Sequence, residues 1–171
     1  MKTGQHFKLI FVLVLICQTF LSNYTSLGPY IMLTMLPTMI LCLPTGTKTI
    51  TGMLVAFACG FAVDLFSEGL LGLNIAALLP VALLRKPIIR LFLGEDLIVR
   101  NDSFSIRKNG LGKVSLAQIL SCGLFMAVYI FLDGAGTRPF WFCLAKFFAS
   151  LVCCWILSIA VINTLTIDDR K

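Results

Sequence analysis

The chain has 171 residues, 58% of them hydrophobic and 13% charged, with a net charge of +6 and a mean hydropathy of +0.96. A soluble domain carries about 25% charged residues, so this composition excludes a water-soluble globule and points to an integral membrane protein of one domain. The positive charge does not point to nucleic acid, because seven of the 14 Lys and Arg residues lie between Arg85 and Lys113, beside apolar runs, where basic residues report topology.

Six apolar runs are expected to form an all-α bundle of six transmembrane helices. The first, Phe7–Leu21, follows Lys2 and Lys8 and has the length of a signal-peptide core. The following SNYTSLGPY has no small-x-small cleavage site, so a retained span is expected. The second run, Tyr30–Leu43, opens after Pro29. The third and fourth are Ile50–Phe66 and Leu70–Leu84. The second and fourth are short for a bilayer that takes about 17–25 helical residues, and a re-entrant hairpin is the alternative for the third and fourth.

A cytoplasmic loop is expected over Arg85–Lys113. Its start, RKPIIRLF, reads either as an interfacial amphipathic helix or as the cytoplasmic end of the fourth span. Arg85, Lys86, Arg90, Arg107 and Lys108 are candidate partner contacts in that loop. The last two spans are Val114–Leu132 and Phe140–Ile162. With both termini in the cytoplasm, 12 of the 14 basic residues lie inside, leaving Arg138 in an outer loop and Lys146 within the last span. The positive-inside rule favours that orientation and an even number of spans.

Between Ile50 and Leu84 the only charges are Asp64 and Glu68. An ionised carboxylate in hydrocarbon costs several kcal/mol or more. Gly52, Ala56, Gly60 and Asp64 are spaced by four, so they share one helix face, and small residues at that spacing let helix backbones approach in lipid. Three readings of Asp64 stay open. It reaches headgroup water at the outer interface, it accepts a hydrogen bond from the next helix and orders the turn, or it relays protons. Gly69 and Gly72 permit the backbone reversal, and Asn74 is a candidate partner for Asp64. A structural hydrogen bond predicts that Asp64→Asn is largely tolerated.

Lys146 either snorkels to the headgroups or pairs with Asp64, Glu68 or Asp133. The stripes Ala145–Ala149–Cys153 and Ser150–Cys154–Ser158 read as packing faces. The seven cysteines are scattered through apolar runs without a C-x-x-C, and His6 is the sole histidine, so no metal or redox site is expected. With no G-x-S-x-G, H-E-x-x-H or phosphate loop, neither an enzyme nor a cofactor is expected.

The stretch GFAVDLFSEGLLGLNIAALLPVALLRKPIIRLF, Gly60–Phe92, resembles the rod shape-determining MreD family in its Bacteroidetes form. The likeness lies in Asp64 at the end of the third span, the short turn and Gly72-Leu73. GPYIMLTMLPTMILCLP, with Pro29, Pro37 and Pro44, and the basic RKPIIR also resemble that family. The resemblance implies a non-enzymatic subunit of the elongation machinery in the bacterial inner membrane. Its expected partners are the lipid bilayer and a bitopic MreC-like protein, with MreB filaments, RodA and a penicillin-binding transpeptidase reached indirectly. It also implies a fold similar to the S components of energy-coupling-factor vitamin transporters, which gives the rival function of a substrate-binding subunit. S components dock their partner through Ala at every fourth position of the first span. Phe7–Leu21 departs from that pattern, with neither Ala nor Gly.

Overall fold

The structure is a computed structural model of the chain and describes residues 3–24, 31–66, 71–94, 110–134 and 139–166. Among these residues there is no strand. The helices are α1 (Thr3–Tyr24), α2 (Leu36–Leu41), α3 (Thr49–Phe66), α4 (Leu73–Leu93), α5 (Leu111–Gly134) and α6 (Phe140–Thr166). Three of them are long and apolar enough to cross a membrane: α3, α5, and α6 over Phe140–Ile162. Their outward faces carry Leu54, Phe61, Leu116, Phe131, Phe148 and Ile156, all exposed, a surface that suits lipid rather than water.

The second apolar run is not the helix expected over residues 30–43. It is helical only at Leu36–Leu41, after a non-helical segment at 31–35. Two prolines set those limits. Pro37 sits in the first turn of α2, where its missing N–H is harmless, but its ring excludes a helical turn before it. Pro44 disfavours helical backbone at Leu43. All six residues of α2 are buried, and α2 touches each of the other five helices. The shortest helix is therefore the axle of the bundle.

The expected cytoplasmic loop is also shorter than 85–113. Helix α4 continues through Arg85 and RKPIIRLF to Leu93, and α5 has begun by Leu111. RKPIIRLF is thus the end of the same helix. Pro80 and Pro87 lie inside α4 and deprive the carbonyls of Ala76 and Leu83 of their helical donors. Both of those residues are on the exposed side, so the packed side keeps its ladder.

Helices α3 and α4 form an antiparallel hairpin whose closest approach is at Gly60. A Cβ there would lie 2.9 Å from the backbone N and Cα of Ile75. Ala56 is fully buried in the adjoining core, with Cys59, Val63, Ala77 and Val81. Gly52 departs from the expected close-packing face: it is buried, yet a Cβ there meets nothing within 4 Å. Two helices that cross at an angle touch most closely at one point, and here that point is Gly60. A second apolar cluster joins Met39, Leu41, Ile88, Ile89, Val114, Ala117 and Ile162 at the far end.

Gly60→Ala is therefore expected to lower stability by about 1–3 kcal/mol, because backbone must move. Gly52→Ala should be neutral or stabilising by up to about 1 kcal/mol through helix propensity. Thermal unfolding of the two variants in detergent micelles, followed by helical circular dichroism, checks the contrast.

Candidate functional site

Helix α4 starts with a defect. Its N-cap is Gly72, at φ 96° in the left-handed region, with no side chain to accept from the first-turn N–H groups. Asp64 supplies that acceptor from the neighbouring helix. It is 2% exposed. One carboxylate oxygen, Oδ1, accepts from the Asn74 amide N–H at 3.2 Å and from Asn74 Nδ2 at 2.8 Å. The other, Oδ2, accepts from Gly72 N–H at 2.9 Å and Ile75 N–H at 3.4 Å. Four donors match the roughly four acceptor positions of a carboxylate, and the charge sits at the positive end of the α4 dipole.

Gly60 belongs to this device, since it lies one turn before Asp64. Any side chain at Gly60 would strike Ile75, one of the residues whose N–H the carboxylate holds. Gly72 provides the sharp entry and Leu73 is buried beside it. The C-terminal end of α1 joins the same corner, where Asn23 Nδ2 donates to the carbonyl of Phe66 at 2.7 Å. The hydrogen bond expected between Asp64 and Asn74 is present, and burial leaves no contact with headgroup water. Gly69 and Glu68 lie outside the described residues.

A second constellation serves the non-helical segment ahead of α2. Buried backbone must find partners, and the amides of Met32, Thr34 and Met35 find them in side chains. Met32 N–H donates to Ser150 Oγ at 2.9 Å, and Thr34 N–H to Cys154 Sγ at 3.3 Å. Met35 N–H donates to Gln18 Oε1 at 2.7 Å. Further along, Thr38 Oγ1 and Ser158 Oγ share a hydrogen bond of 2.8 Å, and Gln118 Nε2 donates to both, at 2.6 and 2.9 Å. The stripe Ser150–Cys154–Ser158 is thus a hydrogen-bonding rail as well as a packing face. Ala145 on the other stripe is exposed, and Ala149 and Cys153 are half-buried.

Arg85 closes the other end of α2. It is buried rather than offered to a partner, which corrects its placement in a contact loop. Its Nη2 donates to the carbonyls of Leu43 and Pro44, its Nε to the carbonyl of Leu41 at 3.4 Å, and its Nη1 to Thr47 Oγ1 at 2.9 Å. A cation at the C-terminal end of a helix is favourable, and the planar five-donor fork reaches several carbonyls as a Lys ammonium does not. Of the other basic candidates, Lys86 is half-buried and Arg90 exposed, both within α4, while Arg107 and Lys108 lie outside the described residues. Lys146 pairs with Asp133, at 3.0 Å, rather than with Asp64. Among the described residues no group of His, Cys, Asp and Glu side chains is placed to hold a metal ion.

Gln18, Thr38 and Gln118 escape the sequence reading. Their signal is polarity inside apolar runs, weaker than charge but of the same kind, since an amide without a partner in hydrocarbon is costly.

Both oxygens of Asp64 accept, so the tolerance of Asp64→Asn expected from the sequence does not hold. The new NH2 would face N–H donors on one side, at about 1–3 kcal/mol. Asp64→Leu, which leaves four donors unpaired, should cost more, about 3 kcal/mol or above. Unfolding midpoints in micelles should fall in the order wild type, Asn, Leu. Arg85→Lys should likewise lower stability by about 1–3 kcal/mol, and proteolysis should then cut sooner in the segment 42–48.

Neither a protein-family model, nor a curated protein, nor a solved structure matches the chain, so the chemistry of these constellations carries the functional reading.

Proposed function

We propose that the chain is a non-catalytic scaffold of the bacterial inner membrane, acting in the cell-elongation complex that builds peptidoglycan. In this reading it is an MreD-type protein, with both termini cytoplasmic and six crossings arranged like an S component. It binds an MreC-like bitopic protein, and through it MreB filaments, RodA and the transpeptidase. The observation that carries the reading is where the buried polar side chains are spent. Asp64, Asn74, Arg85, Gln18, Ser150 and Thr38 all bond to the chain's own backbone or to one another. Such groups make a rigid frame and leave little for turnover chemistry. The Asp64 device also lies within the stretch that resembles the family.

In this reading the interrupted second segment is one of the six crossings. Four non-helical residues at up to about 3.3 Å, with Met35 already in helical backbone and α2 following at about 1.5 Å per residue, reach at most about 24 Å, against a hydrocarbon core of about 30 Å. Residues 32, 34 and 38 meet 150, 154 and 158 in the same order, so the segment runs parallel to α6.

A second reading, a substrate-binding subunit of a vitamin transporter, draws support from that same interruption. Discontinuous segments near the midplane hold substrate in many transporters. Purification from native membranes under mild detergent separates the two. The scaffold reading expects wall-synthesis proteins to co-purify and depleted rod cells to round up. Recovery of an ATPase module with a bound small molecule, in cells that stay rod-shaped, would sink it.

A further inference from the structure

On the outer face between α4 and α5 an apolar groove of about 230 Å³ is lined by Leu84, Pro87, Ile88, Leu91, Leu120 and Leu124. The α4 residues follow the i, i+3, i+4, i+7 pattern of one helix face. The groove is smaller than the about 300–1,000 Å³ of a small-molecule site, and its outer rim residues Leu84, Leu91 and Leu120 are exposed. Lys113 stands seven residues before Leu120 and eleven before Leu124, within about 20° of the same α5 face, and it is exposed. Ile88 and Ile89 pack in one cluster with Val114 and Ala117, which sets Lys113 level with the Leu91 end of the groove. A cation therefore marks one mouth of an otherwise apolar slot, about 10 Å along the helix from Leu120.

We propose that this groove is a site for one anionic phospholipid, with an acyl chain along Leu120 and Leu124 and the phosphate at Lys113. The charge complementarity is that of basic positions beside transmembrane helices, where each Lys favours an anionic headgroup by about fivefold. The inference rests on the membrane reading of the chain and not on any role in wall synthesis.

The test is native mass spectrometry of the delipidated full chain, given equal amounts of phosphatidylglycerol and phosphatidylcholine with matched acyl chains. The wild type should retain one phosphatidylglycerol about fivefold in preference. Lys113→Ala should remove the preference while keeping lipid retention, and Leu120→Trp, at an exposed position, should fill the groove and abolish retention of both lipids. Circular dichroism and monodispersity confirm that each variant is folded. Equal retention of the two lipids by wild type, or an unchanged preference in Lys113→Ala, overturns the proposal. A dimer that Leu120→Trp dissolves would assign the groove to a second copy and overturn it as well.

Discussion

The bundle depends on keeping a non-helical backbone satisfied at its centre. Residues 31–35 are non-helical and their amides cannot rely on a helical ladder; they lie against α6, where water is scarce and an unpaired amide costs about 1–3 kcal/mol. Non-helical backbone at membrane depth is tolerated where protein side chains replace its lost partners. Here α1 and α6 supply donors and acceptors to the segment itself, and α5 and α6 to the short helix that follows it. Much of the remaining sequence answers to that need. Ser150, Cys154 and Ser158 are spaced by four because α6 runs beside the segment, and Gln18 interrupts the apolar run of α1 because Met35 requires an acceptor.

The two buried charges obey the same rule. Asp64 and Arg85 do not meet one another; each is compensated by backbone dipoles of a different helix. A carboxylate gathers the N–H groups at the start of α4, and a guanidinium gathers the carbonyls after α2. Ion pairs in a dry interior recover their desolvation only with further hydrogen bonds, and here the backbone provides those bonds directly. The consequence is mechanical. α4 is anchored at its N-terminus to α3, and twelve residues on from Leu73 it clamps the end of α2, so three elements move as one body.

Part of this was legible in the sequence. Asp64 stood out because a lone acid in an apolar run needs a partner, and Asn74, polar just inside the next span, was able to give one. The role of Gly60 was visible as spacing, yet spacing alone does not distinguish it from Gly52. Which glycine meets a backbone is fixed by the crossing point of two helices, and that follows from packing along their whole length. The interruption at 31–35 was written in Pro37 and Pro44, but apolar composition masked it, because hydropathy records burial and is silent about backbone. Arg85 was misplaced for the opposite reason. The positive-inside pattern groups it with solvent-facing cations, and the pattern carries no information on which of them turns inward.

These constraints bear on what such a body is able to do. A transporter subunit must release and rebind its ligand, so its central polar groups need alternatives to their internal partners. In this chain both Asp64 oxygens are taken by backbone and amide donors of the α4 N-terminus. Ser150 and Gln18 are held by the amides of residues 32 and 35, and freeing any of them would expose a backbone group to hydrocarbon. Two atoms stand apart: Gln118 Oε1 and Trp155 Nε1 are buried without a partner among the described residues, while the Gln118 amide nitrogen has three acceptors for two hydrogens. One unpaired oxygen and one unpaired indole N–H are short of the several placed polar groups that a vitamin-sized ligand requires. The distribution of hydrogen bonds among the described residues therefore supports the proposed scaffold reading over the transporter one.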